Sequence, residues 1–118
     1  MYINGYNFDK VVAVLRKEFK GKAIDPVDGC VYLSGEGKKC AVGCFISPQK
    51  YQEKFEGRSL TDIWRCVADD MPMNLHYMNK LQDFHDHNID ENDPDFVQLD
   101  ALIWKIKCLE DSFEETNR

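Results

Sequence analysis

The sequence is short of the features that mark a nucleic-acid coat, a membrane span or a secreted scaffold. Basic residues are outnumbered: 15 Lys and Arg against 21 Asp and Glu leave a net charge of −6 over 118 residues. Direct nucleic-acid binding and adsorption to an anionic membrane both need a cationic footprint, so neither is expected. No window approaches the roughly 18 consecutive apolar residues of a membrane span. The opening Met1-Tyr2-Ile3-Asn4-Gly5-Tyr6 lacks the basic segment and following apolar stretch of a secretory signal. Internal repeats and low-complexity linkers are missing as well. The five cysteines, Cys30, Cys40, Cys44, Cys66 and Cys108, are an odd number. Without a signal, that count points to reduced thiols in a cytoplasm rather than to a disulfide framework.

What is present is a globular composition, 43% apolar and 31% charged, in a length that serves one core and not two. A single domain over residues 1–118 is therefore expected. Phe8, Val11, Val12, Leu15 and Phe19 recur at helical spacing, which predicts a helix over about 7–20 stopped by Gly21. The period then changes. Cys30-Val31-Tyr32-Leu33 and Lys39-Cys40-Ala41-Val42 flank a glycine-rich break at 34–38 and read as a β-hairpin. Ser47-Pro48 supplies a cap and a first-turn proline for a short helix to about Phe55. Ser59 and Asn74 start two further helices, over 60–68 and 74–85, and Asp93-Pro94 opens the last. On that last helix Phe96, Leu99, Leu102, Ile103, Ile106, Leu109 and Phe113 form an apolar stripe, and Trp64 and Trp104 are expected in the core. The expected class is α+β, a hairpin or small antiparallel sheet packed by about five helices.

Charge is uneven along the chain. Residues 1–28 carry a net of +1, residues 29–58 a net of +2, and residues 59–118 a net of −9. An anionic ligand should prefer the hairpin region, and a basic partner the helical half. In the hairpin region Gly43 and Cys44 are small enough for close approach, and Ser47 begins a segment whose N–H groups suit an anion. Lys38, Lys39 and Arg58 would add positive charge, and Tyr51 a stacking face. In the helical half Asp86, Asp90, Glu91, Asp93 and Asp95 form an acidic docking surface. Tested as a calcium loop from Asp86, that run puts Glu91 at the required glycine and Val97 at the bidentate glutamate, so an EF-hand is excluded.

Other chemistries fit less well. Gly35-Glu36-Gly37-Lys38-Lys39 fails as a phosphate loop, because Tyr32 stands where the first glycine belongs and Lys39 where Ser or Thr belongs. Cys40 and Cys44 have zinc spacing but no second pair, and His76, His85 and His87 would have to complete the set. Buried thiols are the simpler reading, and no metal or other cofactor is expected. Cysteine catalysis would need Cys44 beside His76 or His85, with Asp83 or Asp86 orienting the ring.

Asp28-Gly29-Cys30-Val31-Tyr32, Lys39 through Cys44, Phe45-Ile46, Pro48 and Tyr51 together carry a resemblance. Over residues 8–60 the chain is similar to a family of small uncharacterised bacteriophage proteins that share a Lys-Cys-Ala-Val-Gly-Cys run before an aliphatic pair and a proline. The resemblance implies a setting, the host cytoplasm, and not a reaction; small proteins in that setting commonly bind and neutralise a host enzyme, a defence protein or a nucleotide signal. The expected function is non-catalytic sequestration of a small anionic, nucleotide-like ligand. Inhibition of a host protein through the acidic helical face is the alternative, and a Cys-dependent enzyme the third reading. Assembly into a homo-oligomer through the last helix is a further expectation.

Overall fold

Asn7 starts the first helix by local chemistry. Its side-chain oxygen accepts the Lys10 N–H at 3.0 Å, occupying one of the donors a helix start leaves free. The computed structural model describes residues 2–3, 6–25 and 29–116. Four helices carry the described chain: α1 Phe8–Glu18, α2 Leu60–Val67, α3 Leu75–Asn88 and α4 Asp95–Thr116. Ser59 caps α2 by accepting the Asp62 N–H at 3.2 Å, and Asn74 caps α3 by accepting the Tyr77 N–H at 3.0 Å. Both caps act as their sequence positions imply.

The expected α+β class does not hold: the fold is mostly helical. The only ladders among the described residues are two-residue antiparallel pairs. β1 (Tyr2–Ile3) pairs with β2 (Tyr6–Asn7), and β3 (Ile24–Asp25) with β4 (Gly29–Cys30). The hairpin expected between 30–33 and 39–42 shrinks to one bridge, Leu33 to Lys39, across a turn. The reason lies in residues 40–46, which are buried without alternation. A strand there would carry polar backbone into the core with no neighbouring strand to receive it. The chain coils instead, with a 3₁₀ turn at Gly43–Phe45. Val42 N–H then donates to Gln82 Oε1 at 2.9 Å and Gly43 N–H to Cys40 Sγ at 3.2 Å. The N–H groups of Cys44, Phe45 and Ile46 find the carbonyls of Cys40, Val42 and Gly43.

The helix expected after Ser47-Pro48 is also absent. A turn at 48–50 and a 3₁₀ turn at Glu53–Phe55 take its place. Between Pro48 and Gly57 only Phe55 is buried, so no apolar stripe offsets the cost of nucleating so short a helix.

One core joins Phe8, Val11 and Leu15 of α1 to Val42 and Phe45. It continues through Met78 and Leu81 of α3 to Leu102, Ile106, Leu109 and Phe113 of α4. α4 packs on α1 and α3 along one side. Phe96 is 69% and Trp104 60% exposed, against the expected core placement, although the Trp104 ring lies against Phe84 of α3. Trp64 is half-buried against the core.

Candidate functional site

The residues expected to hold an anion are not brought together. Lys39 Nζ lies 3.2 Å from Glu18 Oε2, so its charge is matched within the fold. Ser47 N–H donates to Asp70 Oδ2 at 3.0 Å, and Lys50 Nζ stands 3.3 Å from the other oxygen. Burial would raise the Asp70 carboxyl, but these two donors hold it below its usual value. Tyr51 O–H donates to Glu56 Oε2 at 2.6 Å. Gly43 is pressed against the Tyr32 carbonyl. Cys44 and Ser47 line one groove, Lys38 a second with Lys22, Glu91 and Asp95, and Arg58 a third.

That third groove is a cleft of about 330 Å³ between residues 56–60, the 31–40 segment and α3. Asn79, Gln82, Asp83 and Asp86 recur at 3- and 4-residue spacing and so present one face of α3 to it. Val31, Cys40 and Leu60 supply apolar wall, and Glu56, Arg58 and Ser59 the facing loop. Three carboxylates thus meet one guanidinium. Glu56 is spent internally, accepting the N–H of Tyr32 at 2.8 Å and of Leu33 at 3.1 Å. Asp86 accepts from Gln82 Nε2 at 2.8 Å and pairs with His85 Nδ1 at 2.9 Å, both through Oδ1. Asp83 is exposed, and its carboxylate has no partner among the described residues. The net field of the cleft favours a cation.

The acidic surface continues from α3 into the loop before α4, where Asp90, Glu91, Asp93 and Asp95 are all exposed. Two residues that the sequence reading passed over set its shape. Buried Gln98 accepts the Lys22 N–H at 3.0 Å and donates to the Asp93 carbonyl at 2.8 Å. Lys22 Nζ donates to the carbonyls of Asp86 at 3.2 Å and Ile89 at 3.0 Å, a cation on the free carbonyls that end α3. Gln98 carried a signal: it interrupts the inner stripe of α4 with a polar side chain. Lys22 carried none.

The thiols are set up for packing. Burial pushes Cys44 up to about 12, only partly offset by Lys39, and burial also pushes Cys40 well up. Both stay protonated at neutral pH, so neither is a ready nucleophile. Cys44 and His76 line different grooves. His85 is fully buried, with Nε2 unpartnered among the described residues. No group of three or more His, Cys, Asp or Glu among the described residues is placed to hold a metal. Brief iodoacetamide treatment of the native protein should modify exposed Cys66 and spare Cys40 and Cys44 until denaturant is added. Peptide mass mapping reads this directly, and native labelling of Cys44 would contradict its burial.

No helix among the described residues is long and apolar enough to cross a membrane. No protein-family model, curated protein or solved structure matches the chain.

Proposed function

We propose that this is a non-catalytic binding domain that docks a basic segment of a protein partner. The supporting observation is the cleft that sets Glu56, Asp83 and Asp86 against Arg58, the one cation among its described lining residues. A partner's arginine or lysine lays its stem on Val31 and Leu60 and brings its head to Asp83 and to the free Oδ2 of Asp86. Asp90, Glu91, Asp93 and Asp95 extend the same sign of charge for neighbouring basic residues. In the setting implied by the resemblance over residues 8–60, the partner is a host protein and the domain acts by occupying it. The small-anion reading of the 38–58 stretch has less support, since Lys39 and the Ser47 N–H already have partners.

Titration with a fluorescent arginine-rich peptide at low and physiological salt tests the proposal. Binding should weaken with salt, and Asp83→Lys should weaken it about tenfold. Asp111→Lys makes the same charge change on exposed α4 and should leave affinity unchanged. Equal affinity in the Asp83→Lys protein removes the cleft from the interface.

A further inference from the structure

A second groove, of about 530 Å³, lies between the first turns of α3 and the C-terminal half of α4, beside Tyr6. Its charge is the reverse of the cleft's. Lys80, Lys105 and His76 line it, with no carboxylate among its described lining residues, in a chain of net charge −6. Helical spacing produces this separation. His76 and Lys80 stand one turn apart on α3, while Lys105, Leu109 and Ser112 run down one face of α4. Glu110, Asp111 and Glu114 fall on other sides of α4 at the same spacing.

The two ammonium groups are unneutralised. Lys80 is exposed with no partner among the described residues, and Lys105 Nζ lies 5.7 Å from the Phe84 ring centre with no carboxylate on it. The same groove also carries aromatic surface. The Tyr6 ring lies 5.1 Å from Tyr77 and 4.3 Å from Phe113, and His76 lies 5.6 Å from Tyr77. Tyr6 is held in place by Asn74 Nδ2, which donates to its hydroxyl. Tyr6 and Tyr77 are half-buried, so part of each ring remains open to the groove.

Cations without counter-charges beside fixed aromatic rings match an anion that carries a flat ring. We propose that this groove binds a nucleoside phosphate, with the phosphates between Lys80 and Lys105 and the base against the Tyr6–Tyr77 pair. Lysine meets phosphate as a point charge, and tyrosine accepts a planar ring by stacking. The groove's volume falls within the range of about 300–1,000 Å³ usual for small-ligand sites. This site is separate from the acidic cleft and does not depend on the docking reading.

Calorimetric titrations with ADP, GDP, CDP and UDP, and with adenosine and inorganic pyrophosphate, test it. At least one nucleoside diphosphate should bind saturably, with adenosine and pyrophosphate each about tenfold weaker or worse. Lys80→Glu and Lys105→Glu should each weaken that binding about tenfold with the melting temperature held. Lys107→Glu, the same charge change on the exposed face of α4, should have no effect. No saturation by any diphosphate overturns the proposal. Binding indifferent to both lysine variants overturns the location, and pyrophosphate binding as tightly as the diphosphates overturns the role of the rings.

Discussion

Gly43→Ala is expected to lower stability by about 3 kcal/mol, or to prevent folding. A Cβ at position 43 would stand 2.2 Å from the Tyr32 carbonyl oxygen, 3.0 Å from its carbon and 3.3 Å from Cys40 Sγ. The obstacle is backbone, and that backbone is held from both sides. The Tyr32 carbonyl accepts the Cys40 N–H at 3.2 Å, while the Tyr32 N–H is bound to Glu56. Neither can shift without breaking a bond in the core. Urea unfolding measures the cost, and a variant within about 0.5 kcal/mol of the parent would show that the turn yields freely. The close approach that the small residues permit is thus made by the protein's own carbonyl. In that light Gly43 serves packing, and its size alone is no argument for a ligand.

Glu56→Ala should cost about 2–3 kcal/mol, because one carboxylate serves three donors. It takes the N–H groups of Tyr32 and Leu33 at 2.8 and 3.1 Å and the Tyr51 hydroxyl at 2.6 Å. Tyr32 is buried, so its abandoned N–H finds no easy substitute in water. Glu56→Gln keeps one acceptor oxygen and should lose about half as much. A second readout separates this clasp from general packing. Burial raises the Tyr51 phenol above its ordinary value, and the bond to Glu56 raises it further. In Glu56→Gln the Tyr51 titration should move down towards the ordinary tyrosine value. A phenol that titrates unchanged in that variant would mean that the hydrogen bond contributes nothing.

How far the sequence could be read depended on whether a decision was local. Ser59 and Asn74 cap their helices through bonds that span three residues, and those starts were legible. The α4 stripe was legible in part: Leu102, Ile106, Leu109 and Phe113 are buried, but Phe96 is exposed and Trp104 only lies against Phe84 of α3 with most of its surface open. The hairpin expected over 30–33 and 39–42 does not form because Cys40, Ala41 and Val42 are enclosed by the core instead of alternating across one face of a sheet. Nothing in their types distinguishes the two environments.

The same division holds for the sites. The acidic run 86–95 could be seen from composition, and its side chains are exposed as a solvated surface should be. The basic expectation at Lys39 failed to anticipate Glu18, which is 21 residues away and meets it only after α1 has folded back. The groove at Lys80 and Lys105 left no trace at all, since its residues are divided between Tyr6, α3 and α4.

The Lys22 and Gln98 bonds have one more consequence, for what a partner can recognise. They join positions 64, 67 and 76 residues apart, so the acidic loop is shaped by the chain segment that follows α1. A linear peptide copied from 86–98 would carry the same charges without their arrangement. Recognition of this surface is therefore conformational, an epitope that exists only while α1, α3 and α4 are docked. Any event that loosens the end of α1 would be felt at carboxylates far along the chain, with no change in the sequence that bears them.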